Sequence, residues 1–200
     1  MLKKKAFLKA LLSLFSLFSP EEFRVFAEEP PVIQIEKMRF FDWEAGSESL
    51  ETAKKTCSLQ VTGFTPDRVF LSMQLSMIKS SPAASDKNAL TIIKITATQV
   101  YEEDFSDAVS IPLSEAWLET STVSTLGRLN KIMATAPHFI GGSPGAGLFD
   151  TLLQGIRKDG LIIGYRAEKD PLARVFDVGS PAPHLFEQLT TCLAKAAAVL

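Results

Sequence analysis

The stretch Gly141-Gly142-Ser143-Pro144-Gly145 fits G-x-S-x-G. In serine hydrolases that spacing forms a sharp strand-to-helix turn that lifts the serine hydroxyl out for nucleophilic attack. Phe139 and Ile140 supply an apolar run before it, and Asp170, Asp177 and His184 follow in the order Ser, Asp, His. The chemistry fails at the next residue. The oxyanion hole of such an elbow uses the backbone N–H after the serine, and Pro144 has none. Losing one such donor removes roughly 3–4 kcal/mol of transition-state stabilisation. Ser143 therefore defines the alternative reading, a serine hydrolase, and the leading reading assigns no catalytic residue. The glycine-rich stretch 141–147 is expected to be a flexible connection into a helix.

Phosphate and metal chemistry find less. The same glycines lack the lysine and Ser/Thr of a P-loop. Gly145-Ala146-Gly147-Leu148-Phe149-Asp150 ends in aspartate where a dinucleotide site needs glycine or alanine. Cys57, Cys192, His138 and His184 are the soft ligands, and none has the short paired spacing of a zinc site. The acidic run at Glu102, Glu103, Asp104 and Asp107 lacks the spacing and central glycine of a calcium loop and reads as a solvated loop. No cofactor and no metal are expected.

Two cysteines remain. Cys57 lies in an alternating stretch, Cys57-Ser58-Leu59-Gln60-Val61, and Cys192 continues the helical stripe Leu185, Leu189, Cys192, Ala196. Both can face one core. In an oxidising compartment they favour one bridge, the alternative being two buried thiols.

The compartment is read from the start of the chain. Lys3, Lys4 and Lys5 precede an apolar run, Ala6 to Phe18, interrupted by Lys9, and Val25-Phe26-Ala27 fits small-residue cleavage before Glu28. Residues 1–27 read as a signal peptide and residues 28–200 as a single α+β domain, periplasmic or secreted. The alternatives are an uncleaved anchor or an amphipathic cytosolic helix. The apolar run is short for a membrane span. No cysteine follows it, so a lipid anchor there is excluded. Cleavage would remove five basic and two acidic side chains, leaving 16 basic against 21 acidic, a formal net charge of −5. That balance argues against nucleic-acid or anionic-membrane partners.

The elements that must position these residues are mostly strands. Val32 to Trp43 reads as a first strand, Glu44 to Lys55 as a loop or short helix, and Lys55 to Val61 as the Cys57 strand. Thr62 to Asp67 is a turn cluster. Arg68 to Lys79 alternates cleanly, Ser80 to Asn88 is a loop, and Ala89 to Tyr101 is a strand rich in Thr, Ile and Val. Ala108 to Leu118 is a further strand with Pro112 marking an edge or break. Ser121 to Ala136 is either helical or irregular. Leu148 to Lys158 is a helix with its apolar stripe on Phe149, Leu152, Leu153 and Ile156. A hairpin follows, Leu161 to Ala167 and Arg174 to Val178. Ser180 then serves as N-cap, with Pro181 first, to the closing helix. Strands precede the two helices without regular alternation. The expected fold is α+β: an antiparallel sheet or sandwich-like body with two helices, the last packed on the sheet.

The end of the chain, from Leu152-Leu153 through Gly160, Phe176, Gly179-Ser180, Leu185 and Leu189 to Cys192, resembles exported proteins of proteobacteria. It is also similar to invasion-associated exported proteins and to periplasmic accessory proteins of type VI secretion. The resemblance covers about 40 residues of low-specificity pattern. It implies export, a paired cysteine and no known catalysis, and it transfers no functional residue. The expected function is an exported binding module with an envelope protein or component as partner.

Overall fold

The computed structural model describes residues 32–37, 39–49, 55–79, 89–101, 106–135 and 138–198. The stretch read as a signal peptide (1–27), the entry at 28–31, the stretch 80–88 expected to be a loop and most of the acidic run (102–105) lie outside the described residues. The fold is α+β, with two largely antiparallel sheets and two helices among the described residues.

The larger sheet is built on β3 (Lys55–Phe64), β4 (Val69–Lys79) and β5 (Ala89–Gln99), paired antiparallel along their lengths. Period-two alternation places Leu59, Val61, Leu71, Met73, Leu75, Ile93 and Ile95 on one face, all buried. Its order is completed by β2 (Arg39–Ser49) at one edge and by β9 (His138–Pro144) and β8 (Asn130–Thr135) at the other, with the two-residue β6 (Val109–Ser110) beside β5. The smaller sheet runs β1 (Val32–Lys37), β11 (Ala173–Gly179), β10 (Leu161–Ala167), β7 (Leu113–Glu119). Within it β1 pairs parallel to β11, and the other pairings are antiparallel.

One buried cluster joins the two sheets and both helices. It draws on Leu59, Met73 and Ile93 of the large sheet, Leu118, Ile163 and Phe176 of the small one, and the first helix, α1 (Gly147–Asp159), through Phe149, Leu152 and Ile156. The second helix, α2 (Pro183–Ala198), adds Leu185, Phe186 and Leu189 and packs chiefly on β2 and β3. The last helix thus lies on the sheet, as its stripe implies. Asp150 in the first turn of α1 and Arg157 with Lys158 in its last match the helix dipole.

The small sheet also packs on its outer side. Trp117, Ala173 and Val175 are buried there against Leu126 and Ile162. Gly164 pairs across strands with Trp117, whose indole lies so close that an added Cβ would meet Cε2 at 2.1 Å. The glycine makes room for the ring.

Several expectations need correction. Val32 to Trp43 is not one strand: β1 and β2 flank position 38 and belong to different sheets. Glu44 to Ser49 is neither loop nor helix but the second half of β2, held by register with Gln60 through Lys55 of β3. Pairing overrides the poor strand propensity of its Gly, Ser and Glu. The turn after β3 starts at Thr65, not Thr62, and the Phe64 and Phe70 rings pair across it at 5.4 Å. Asn130 to Thr135, expected to be helical or irregular, is β8, paired with β9. Val109 to Glu119 is two strands, broken at Ile111-Pro112 where the proline was expected to interrupt it. Helix α2 starts at Pro183, past the Ser180-Pro181 start expected from capping. The proline ring still takes the first helical position, where no N–H is needed.

Candidate functional site

The cysteine pair is the feature the fold assembles from furthest apart. Cys57 sits on β3 at 1 % exposure, inside the common core, and Cys192 is half-buried on α2. The two are joined as a disulfide with Cα atoms 5.9 Å apart, across a sequence separation of 135. Strand alternation turns Cys57 inward beside Leu59 and Val61, and the helical period turns Cys192 onto the side of Leu185 and Leu189. The bond fastens the closing helix to the sheet it covers. Arg157 of α1 adds a second fastening, its guanidinium lying 5.0 Å from the centre of the Phe186 ring on α2.

Ser143 is placed differently from an elbow nucleophile. The stretch expected to be a flexible loop is the regular end of β9: Gly141, Gly142, Ser143 and Pro144 pair with Ile93, Ile92, Thr91 and Leu90 of β5. Only Gly145 and Ala146 separate the strand from α1. The glycines answer to packing. A Cβ on Gly141 would meet Leu129 at 2.9 Å, and one on Gly142 would meet Ile132 at 2.7 Å. Gly145 turns with φ 86°, its N–H donating to the Ala89 carbonyl at 2.8 Å while its own carbonyl accepts from Thr91 Oγ1 at 2.9 Å. The connection is therefore pinned on both sides.

The three proposed partners of Ser143 are not gathered around it. Asp177 is on β11 of the other sheet, its Oδ1 accepting from the Gly179 N–H at 2.9 Å. Asp170 lies in the β10–β11 turn and accepts from the Leu172 N–H at 2.9 Å. His184 is exposed in the first turn of α2, which packs on the opposite half of the large sheet from β9.

His138, at the start of β9, stands on the outer face of the large sheet beside its register partner Thr96, with Thr96 Oγ1 3.0 Å from Nδ1. Burial, and after it the nearby Lys94 charge, holds its imidazole below the ordinary histidine range. Asp150 in the first turn of α1 puts a negative charge where a phosphate would otherwise be attracted. Among the described residues no group of three or more His, Cys, Asp or Glu side chains is arranged to hold a metal ion.

One polar cluster escaped the sequence reading. In the β3–β4 turn Thr65 Oγ1 accepts from the Val69 N–H at 3.0 Å and donates to the Asp67 carboxylate. Asp67 also pairs with Arg174 of β11, so one carboxylate ties the large sheet to the small one. Arg68, with φ 63°, reaches across to the Tyr101 carbonyl at 3.1 Å, and Gln99 Nε2 donates to the Asp67 carbonyl at 3.0 Å. The Thr-Pro-Asp-Arg sequence announces a turn, but nothing local announces a partner 107 residues away.

The geometry defines a two-sheet α+β domain whose closing helix is clamped covalently to an inner strand. The chain matches no family model, no curated protein and no solved structure. Among the described residues no helix is long and apolar enough to cross a membrane.

Proposed function

We propose that the chain is an exported, non-catalytic binding module of the bacterial envelope, periplasmic or secreted, whose partner is another envelope protein or component. The observation that carries this reading is the Cys57–Cys192 bridge, because structural disulfides belong to oxidising compartments outside the cytoplasm. The basic and apolar start of the sequence and the likeness of its last part to exported proteins of proteobacteria point the same way. The reading is further supported by the dispersal of Ser143, Asp170, Asp177 and His184 over two sheets, a turn and a helix, which leaves the hydrolase alternative without the partners its motif order offered.

Two measurements test it. Protein recovered from a native envelope fraction should begin at Glu28 and weigh two hydrogens less than its reduced form; a full-length species with two free thiols refutes export. A fluorophosphonate probe should leave the protein unmodified. Labelling that disappears in Ser143→Ala would establish the hydrolase instead.

A further inference from the structure

We infer that the Cys57–Cys192 bond is a gated latch: it can be exchanged by a dithiol only after the first two turns of α2 have swung off β2 and β3 about the bond, with the rest of the fold still closed.

The two sulfurs are unequally placed. Cys57 is 1 % exposed within the common core, so direct attack on its sulfur is blocked. Cys192 is half-buried on the helix. A dithiol thiolate arriving there would form a mixed disulfide with Cys192 Sγ, break the Sγ–Sγ bond and send its electron pair to Cys57 Sγ. The dithiol's second thiolate would then attack its own sulfur in the mixed disulfide and release Cys192. The dithiol ends oxidised, and both cysteines end as thiols after taking up protons. The first step is the difficult one. Its leaving group is a thiolate in an apolar core, where the charged form is disfavoured, and exchange slows as the leaving thiol becomes more basic.

The element able to relieve this is α2. It is joined to β11 through Gly179, at φ 62°, and the short stretch 180–182. Its buried anchors, Leu185, Phe186 and Leu189, fall in its first two turns, while Cys192 and Leu193 are only half-buried. Elements held by few buried apolar contacts open at lower free energy than the whole fold. Swinging these turns aside, with Cys192 still tethered, would admit water and the dithiol to the bond without disturbing β4, β5 or β9.

The test uses the oxidised full chain under native conditions, dithiothreitol as the probe, acid quench and counting of alkylated thiols by mass. Reduction should be slower than in the denatured chain by roughly 100-fold or more. Leu189→Ala, which weakens the docking of α2, should accelerate native reduction roughly 30-fold. Arg157→Ala removes the exposed guanidinium from the Phe186 ring; it keeps the core and should accelerate reduction roughly two- to fivefold. Ile95→Val, buried on β5 two strands from β3, should leave the rate unchanged. Acceleration by Ile95→Val in step with its loss of global stability would show that the bond opens only through global unfolding. Indifference to Arg157→Ala and Leu189→Ala would show direct attack on the closed protein. Either result overturns the latch.

Discussion

Replacing Cys57 and Cys192 by alanine opens a covalent ring spanning a sequence separation of 135. In the chain-entropy description the cost of closing a loop of that size leaves the unfolded state with the bond about 5 kcal/mol less favourable than without it. Native disulfides measured by removal contribute about 2–5 kcal/mol, so the loss should fall in the upper half of that range. Alanine at position 57 also vacates core volume, which pushes the same way. Urea denaturation of the oxidised protein and of the double variant, followed by far-ultraviolet circular dichroism, reads the difference. The variant should unfold at lower urea, and its slope should be somewhat steeper because an unbridged unfolded chain exposes more surface. Reducing the wild type should reproduce most of the change without altering a core side chain. A loss below about 1 kcal/mol would refute the reasoning, because it would mean that the unfolded chain holds the two segments together without the bond.

Three other outcomes are expected. Gly164→Ala should destabilise by about 1–3 kcal/mol, because its Cβ must displace the Trp117 indole; on a Trp117→Ala background the same change should cost little, and thermal melts of the four proteins give the coupling. His138 has a folded pKa below its unfolded value. Its contribution to stability is therefore full above the unfolded pKa, near 6.5, and is lost as pH falls from there through the folded pKa, where the unfolded state takes up the proton first. Urea midpoints across that window should flatten in His138→Gln. Arg174→Ala should cost no more than about 1 kcal/mol, since both partners of the ion pair with Asp67 are more than a third exposed; chemical denaturation of Arg174→Ala and Asp67→Asn checks it.

What could be read from the sequence follows from where each element gets its instructions. Strands β4 and β5 lie inside the large sheet and bury one face along most of their length, so their alternation is clear and their bounds come within a residue or two. Helix α1 carries its own stripe and its own charge complement at both ends, and was equally legible. The edge strands of the large sheet were not. The second half of β2 is Glu-Ala-Gly-Ser-Glu-Ser, and only its register with β3 makes it a strand. β8 depends in the same way on β9. The glycines at 141 and 142 misled for a related reason: they suggest freedom, but they answer to Leu129 and Ile132 pressing on the strand. The cysteine pair was legible because an inward strand position and an inward helix position both display themselves locally, and no other cysteine competes. The Asp67–Arg174 tie was not, because neither residue's neighbours point to the other.

Strands β1 and β2 are set apart by their place in the chain: both precede Cys57, so among the described strands they alone lie wholly outside the covalent ring. They are also edge strands, β1 of the small sheet and β2 of the large one. Under tension applied at the two ends, the oxidised molecule could yield these strands one after the other. The polypeptide between the cysteines could contribute no length. At about 3.4 Å per extended residue, the ring, with its sequence separation of 135, withholds roughly 460 Å of contour until the bond breaks. Stretched, the protein would behave as a short tether ending in an inextensible knot, and a reductant would turn it into a long one.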